Sequence, residues 1–220
     1  PGTATFIEAL FTATSAVCVT GLTVVDTASH WTGFGQVVVV IGVQIGGWGV
    51  MTLASILARA VSRHIGLTQR ILAASERKSR LGDVGALLQS VVITSLTVEG
   101  LLVAVMFPSI MEERGTFLGA LGHSIFMAVS TFNNAGFVII GPDLTPFVGN
   151  WAISLPIILG TVAGAIGFPV IHNIAHNLRS PKRWSLHTKI TVVTYVALWG
   201  AGIVMVAAFE WNAAFSDLTT

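Results

Sequence analysis

Two short segments of the sequence each combine one glycine with polar or β-branched residues, a pattern that could coordinate a dehydrated cation. The first is VCVTGLTVVD at residues 17–26, and the second is STFNNAGF at residues 130–137. Glycine permits a backbone in which successive carbonyl oxygens point the same way. Such oxygens can replace the hydration shell of an ion. The chemistry indicated is therefore non-covalent binding of a cation by main-chain oxygens.

Two other features could carry chemistry, but each has an ordinary structural explanation that we favour. His172 and His176 lie four residues apart in HNIAH, a spacing that suits a metal ion, but Asn173 stands where the HExxH motif needs its glutamate. We interpret this pair as a solvated helix end beside a basic loop. Glu99 lies inside an apolar run, where a carboxylate is costly and is often functional. We interpret it as a hydrogen-bonded residue that braces a neighbouring short helix.

The composition of the chain predicts a membrane protein. Of its 220 residues, 53% are hydrophobic and 10% are charged, and the mean hydropathy is +0.81. Soluble domains carry about 25% charged residues. The single cysteine excludes an intrachain disulfide. The chain starts at Pro1 without a signal-peptide pattern, so we expect an internal or trimmed start.

Four apolar segments are long enough to cross the hydrocarbon core, which takes about 20 residues of helix. Three are uninterrupted, at about 34–58, about 85–107 and about 188–209. The fourth, at about 148–171, contains Pro156, Pro169 and several glycines. Two shorter runs, at about 3–16 and about 116–131, precede the glycine-bearing segments and are too short to cross. We predict re-entrant or interfacial helices for both.

The distribution of basic residues predicts the orientation of these spans. Ten of the eleven Lys and Arg residues fall in two loops, at residues 59–80 and 179–189. Loops rich in Lys and Arg are retained on the cytoplasmic side. Both basic loops are therefore predicted to be cytoplasmic, with alternating directions for the spans between them.

The two glycine-bearing segments belong to an internal repeat. Aligning Gly21 with Gly136 pairs Phe11 with Phe126, Ala13 with Ala128 and Ser15 with Ser130. After a three-residue insertion, GGWGV at 46–50 pairs with GAIGF at 164–168. The predicted unit is a short helix, a glycine-bearing extended stretch and a long glycine-rich span.

Such a unit has the features of a pore loop. Extended backbone cannot face lipid, because its N–H and C=O groups would lack partners, so it must be packed in protein or line water. A short helix that runs inward also directs the partial negative charge of its C-terminus at the loop, which favours cations over anions.

These segments carry a resemblance to a known family. AVCVTGLTVVDT and STFNNAGF resemble the first and second filter segments of the Trk/Ktr/HKT superfamily of potassium transporters, and IGLTQRILAAS leans toward the bacterial Ktr branch. The resemblance implies an all-α polytopic membrane protein built from repeated helix–pore loop–helix units, with re-entrant half-helices and extended filter segments. Glycine at both filter positions resembles the potassium-selective members, whereas a serine in the first filter resembles sodium-favouring plant members.

The resemblance also implies a division of the chain. We expect residues 1–60 to form the pore helix, filter and inner helix of repeat 1, 61–83 a cytoplasmic basic loop, 84–178 a complete repeat 2, 179–187 a second cytoplasmic loop, and 188–220 the outer helix of a truncated repeat 3. Members of the superfamily resemble four such units in one chain, so we expect this sequence to be part of a longer polypeptide.

The candidate ion-binding residues follow from the two filter segments. The carbonyl oxygens predicted to face the ion are those of Val19, Thr20, Gly21, Leu22, Asn134, Ala135, Gly136 and Phe137. Cys18 and Asn133 precede the two segments, and we expect them to support the filter by packing or hydrogen bonding. No catalytic residue and no covalently bound cofactor is predicted.

The function implied is potassium uptake through this filter at the cell membrane, with K⁺ as the substrate ion. Na⁺ as a coupling ion is compatible with the sequence, as is H⁺. The resemblance implies a homodimer in membrane lipid, regulated by a cytoplasmic nucleotide-binding ring of the RCK/KTN kind; no nucleic-acid partner is expected. The first alternative is a cation transporter of the same family that passes both Na⁺ and K⁺.

Two further alternatives have less support. An aquaporin-like pore would also use paired half-helices, but it needs an Asn-Pro-Ala motif at each, and the sequence has none. An intramembrane enzyme would have to use His172, His176 or Glu99, among which no nucleophile–base pair or complete metal set can be identified.

Overall fold

The structure is a computed structural model and describes residues 4–62, 82–141 and 143–211 of the chain. The α-helices of these residues are α1 (Phe6–Val17), α2 (Thr27–His30), α3 (Gly33–Ser62), α4 (Gly82–Arg114), α5 (Phe117–Phe132), α6 (Trp151–Ile166), α7 (Phe168–His176) and α8 (Leu186–Glu210). Two short 3₁₀ turns lie at Thr145–Phe147 and Pro181–Arg183. The chain divides into two compact units, Pro1–Phe168 and Pro169–Thr220.

The helices confirm the predicted all-α membrane fold. Three stretches are long and apolar enough to cross a membrane, and they are Gly33–Ala54, Gly85–Arg114 and Leu186–Phe209. Helices α6 and α7 qualify together as one span that is broken between them. Helices α1 and α5, with 12 and 16 residues, are apolar but fall short of a span. Their entry into the membrane as re-entrant helices stays a prediction.

One predicted span boundary was wrong, and the predicted interruption of the fourth span has a defined position. Helix α4 does not end near residue 107 but continues through Pro108 to Arg114. Met106 and Ile110 lie on either side of that proline and are fully buried. Their packing helps to offset the free-energy cost of the backbone hydrogen bond that proline cannot donate. The fourth span breaks at Gly167, where φ is 87°, a conformation that favours glycine.

The first unit is built around the two short helices. One apolar cluster joins α1, α3 and α5 with the residues that follow α5, and its members are Ala16, Val39, Val43, Phe126, Val129, Ala135, Phe137 and Ile139. Helix α1 begins with a capping box, in which the Thr5 side chain accepts from the Glu8 backbone and the Glu8 carboxylate accepts from the Thr5 backbone. These contacts fix the start of α1 and leave its C-terminus to enter the core.

Each short helix is met at its last residue by a glycine of a long helix. A Cβ on Gly46 of α3 would overlap the carbonyl oxygen of Val17, and a Cβ on Gly164 of α6 would overlap that of Phe132. Gly46 and Gly164 are the residues paired by the alignment of GGWGV with GAIGF. Helices α1 and α3, and likewise α5 and α6, are therefore in close contact at matched positions.

The second unit contains most of α7, the turn at Pro181–Arg183 and helix α8. Ser185 caps α8 by accepting a hydrogen bond from the Thr188 backbone at 3.1 Å. The backbone N–H of Ser185 donates to the side-chain oxygen of Asn173 at 3.1 Å. Asn173, which replaces the glutamate of the HExxH motif, thus holds the loop before α8.

Part of the predicted organisation lies outside the described residues. Residues 63–81 include most of the first basic loop, and residues 212–220 include the end of the predicted third repeat. The division of the chain into repeats and loops therefore stays a prediction.

Replacing Gly164 by alanine should destabilise the first unit. The added methyl group meets the Phe132 carbonyl, and overpacking of this kind costs about 1–3 kcal/mol. We expect a lower midpoint of thermal unfolding for Gly164→Ala in detergent. The control is Gly49→Ala on α3, whose Cβ meets no atom within 4 Å. Equal midpoints for both variants would contradict the close approach of α6 to α5.

Candidate ion-binding site

The first candidate segment leaves α1 through an unusual backbone path. Cys18 ends the helix with φ −80° and ψ −4°, and Val19 follows with a positive φ of 54°. The backbone N–H of Thr20 donates to the Ser15 carbonyl at 2.9 Å. Gly21 then has φ 74°. A β-branched valine at positive φ is costly, so the packing around it must hold it there.

The second candidate segment follows the same path residue by residue. Asn133 ends α5 with φ −79° and ψ 0°, Asn134 has φ 57° and Gly136 has φ 74°. The backbone N–H of Ala135 donates to the Ser130 carbonyl at 2.8 Å. Each of these residues is the partner of its counterpart in the alignment, so one backbone conformation occurs twice.

A serine in each short helix holds the far end of its segment. The Ser15 hydroxyl donates to the Leu22 carbonyl at 2.8 Å, and the Ser130 hydroxyl donates to the Phe137 carbonyl at 2.7 Å. Among the described residues, the carbonyls of Val19, Thr20, Gly21, Asn134, Ala135 and Gly136 accept no hydrogen bond. These six oxygens are free to serve another ligand, whereas those of Leu22 and Phe137 are already hydrogen-bonded.

The two segments meet at their glycines. A Cβ on Gly21 would lie 3.5 Å from the Gly136 Cα, and a Cβ on Gly136 would lie 3.6 Å from the Gly21 Cα. The same Cβ on Gly21 would overlap the Ala135 carbonyl oxygen. Position 21 therefore requires glycine both for its φ and for space, whereas position 136 requires it for its φ.

The side chains around the two segments differ. Asn133 is buried, and its amide donates to the Val129 carbonyl at 2.9 Å and to Glu99 at 3.3 Å, whereas its counterpart Cys18 is exposed. With its amide nitrogen facing the Thr161 carbonyl, the Asn134 side chain also accepts from the Ala165 N–H, both at 3.2 Å. Its counterpart Val19 packs on the apolar cluster instead. The second segment is thus held by polar side chains.

Glu99 lies behind the second segment. Its Oε1 accepts from Gln44 at 3.0 Å as well as from Asn133, so it is hydrogen-bonded to the residue that ends α5. This is the arrangement that a bracing role requires.

His172 and His176 contact each other but do not belong to a larger group of metal-ligating side chains in the described residues. The rings of His172 and His176 stack with centroids 4.1 Å apart. Within the described ranges, no group of three or more His, Cys, Asp or Glu side chains is arranged to hold a metal ion.

Comparison with known proteins identifies the family. The family model TrkH, described as a cation transport protein, matches residues 2–219. This chain belongs to the TrkH family. The resemblance to the Trk/Ktr/HKT superfamily is therefore confirmed.

Individual TrkH-family relatives match almost the whole chain. Ktr system potassium uptake protein B of Bacillus subtilis is 35% identical over 208 residues, which are 94% of this chain and 46% of that protein. Ktr system potassium uptake protein D of the same organism is 34% identical over 96% of this chain and 48% of its own length. The potassium/sodium uptake protein NtpJ of Enterococcus hirae is 32% identical over 94% of this chain and 46% of its own length. The chain spans slightly less than half the length of these relatives.

Some residues of the site were not recognised in the sequence. Ser15 and Ser130 were aligned but given no role, although two matched serines within apolar helices are a signal. Gln44 carried no comparable signal, because its contact with Glu99 depends on the packing of α3 on α4.

Replacing Ser130 by alanine should loosen the second segment of this TrkH-family chain. The variant loses the only side-chain hydrogen bond to the Phe137 carbonyl in the described part of the chain, for a net cost of about 0.5–1.5 kcal/mol, or more because the site is buried. We expect a lower midpoint of thermal unfolding in detergent for Ser130→Ala. Ser90→Ala, which loses an exposed bond within α4, is the control and should unfold like the wild type.

Proposed function

We propose that this chain forms part of a potassium uptake protein, in which main-chain oxygens of residues 19–22 and 134–137 contribute to a selectivity filter. The observation that carries the proposal is the contact between Gly21 and Gly136, at which two segments of closely similar backbone conformation meet. Two such segments side by side would present oxygens to a common axis. The oxygens of Leu22 and Phe137 are bonded to serines, so the oxygens that precede them would carry most of the ion contact.

The electrostatics of the segments favour a cation. Helices α1 and α5 end at the segments, and the C-terminus of a helix carries a partial negative charge. Neither helix has a basic residue in its last turn that would neutralise it. The same partial negative charge disfavours an anion at this position.

The names of the relatives support potassium as the ion. Two of them are potassium uptake proteins by name, and a third is named as a potassium/sodium uptake protein. Potassium is therefore our first candidate, and a transporter that passes both ions is the alternative. Glycine at positions 21 and 136 favours potassium, since the resemblance assigns a serine in the first filter to sodium-favouring members.

The orientation and partners form part of the same proposal. We place the basic loops 59–80 and 179–189 on the cytoplasmic side of the cell membrane, by the positive-inside rule. We also propose that the chain is divided into repeats and loops as the sequence predicts. A homodimer regulated by a cytoplasmic RCK/KTN ring is supported by the family resemblance alone.

Serine in place of either glycine should lower the preference for K⁺ over Na⁺. The full-length protein would be reconstituted in liposomes, and the K⁺/Na⁺ flux ratio measured per unit of protein. We expect Gly21→Ser to lower the ratio by about tenfold, which corresponds to about 1.4 kcal/mol. Gly136→Ser should lower it less, because a Cβ at position 136 meets nothing closer than 3.6 Å.

The control for this experiment is Gly49→Ser, at a position where a Cβ has no neighbour within 4 Å. It should leave the flux ratio unchanged. A wild-type ratio in both filter variants, at normal protein levels, would refute the proposed filter.

A further inference from the structure

We propose that Glu99 is a positioning residue for the second filter segment, which it holds, together with Gln44, through the side chain of Asn133. The inference rests on the proposed function, since it assigns a role within the same filter.

The three side chains come from three elements. Gln44 lies on α3, Glu99 on α4, and Asn133 at the C-terminal end of α5. The cluster therefore links α3, which follows the first segment, to α5, which precedes the second segment. Glu99 and Asn133 are both buried, with 5% and 6% of their surface exposed.

A single carboxylate oxygen organises the cluster. Glu99 Oε1 accepts from Gln44 Nε2 at 3.0 Å and from Asn133 Nδ2 at 3.3 Å. The same Asn133 amide lies 3.5 Å from Gln44 Oε1. Because both donors converge on Oε1, Glu99 acts as a hydrogen-bond acceptor, and a glutamine carbonyl could take its place.

Asn133 is the residue through which this contact reaches the filter. Its backbone N–H closes α5 by donating to the Val129 carbonyl at 3.0 Å, and its side chain donates to the same carbonyl at 2.9 Å. The next residue, Asn134, has the positive φ that starts the segment. A rotation of the Asn133 side chain would therefore be transmitted directly to the ion-facing backbone.

Gly47 limits the position of Asn133 from the other side. A Cβ on Gly47 would overlap Asn133 Oδ1, a buried oxygen with no hydrogen-bond partner in the described part of the chain. Alanine at position 47 would thus displace the Asn133 side chain while leaving the glutamate at position 99 in the sequence. The first segment has no such device, because Cys18 is exposed at the matched position.

The test compares Glu99→Leu, Glu99→Gln and Gly47→Ala in the full-length protein. The K⁺/Na⁺ flux ratio and the KM for K⁺ are measured in liposomes, per unit of folded protein. Gly100→Ala, beside Glu99 on α4, is the control, since a Cβ there has no neighbour within 4 Å.

We expect Glu99→Leu and Gly47→Ala to lower the flux ratio by about tenfold, equivalent to about 1.4 kcal/mol. Glu99→Gln should restore the wild-type ratio, because it keeps the acceptor. If Glu99→Leu does not fold, Gly47→Ala tests whether the position of the Asn133 side chain sets the ratio, and Glu99→Gln tests whether an uncharged acceptor at position 99 is sufficient.

Three results would overturn the inference. The first is a wild-type ratio in Gly47→Ala and in folded Glu99→Leu. The second is a reduced amount of protein with an unchanged ratio, which a purely structural role predicts. The third is a loss in Glu99→Gln as large as in Glu99→Leu, which would assign the effect to charge. If Gly21→Ser or Gly136→Ser lowers the ratio in the same assay, these results refute the role of Glu99 alone; if neither variant lowers it, the filter itself is refuted.

Discussion

Backbone polar groups within a membrane must find partners inside the protein, and under the proposed function this requirement applies to the two segments at which α1 and α5 end. Each segment leaves its helix through a residue at positive φ. The backbone N–H of the next residue, Thr20 or Ala135, then donates to the carbonyl of a serine in the same helix. The serine hydroxyl then bonds the carbonyl seven residues later. With these groups satisfied, the carbonyls in between are the ones left for an external ligand. The non-helical backbone is thus held by its own short helix.

The glycines of the first unit act at two different places. Gly46 and Gly164 let a long helix touch the last residue of a short helix, so that the start of each segment is fixed against a rigid element. Gly21 and Gly136 let the segments touch each other. Both segments are held by a serine, but the second is held by two asparagines as well, where the first has the exposed Cys18 and the apolar Val19.

The sequence predicted the helices well where length and hydropathy decide. The runs at about 3–16 and about 116–131 correspond to Phe6–Val17 and Phe117–Phe132. Prolines were less informative. Helix α6 continues through Pro156, and Pro169 lies in the first turn of α7, where proline is tolerated. The break falls at Gly167, which has a positive φ and is followed two residues later by Pro169, a pattern common at helix ends.

The residues of the candidate site were found by their repetition, since glycine in two matched contexts is a stronger signal than one. The contacts behind the site could not be predicted. Gln44 and Glu99 are 55 residues apart, and Gln44 and Asn133 are 89 apart, so only the packing of α3, α4 and α5 brings them together. The first basic loop lies largely outside the described residues, and its predicted side of the membrane rests on the distribution of charge.

The most direct measurement is anomalous diffraction from crystals of the full-length protein grown with Rb⁺ in place of K⁺. If main-chain oxygens at the junction of Gly21 and Gly136 bind the ion, an anomalous peak will lie between the two segments, within coordination distance of the Thr20 and Ala135 carbonyls. A peak at side chains elsewhere, such as Glu99 or His172, with no peak between the segments, would contradict this account.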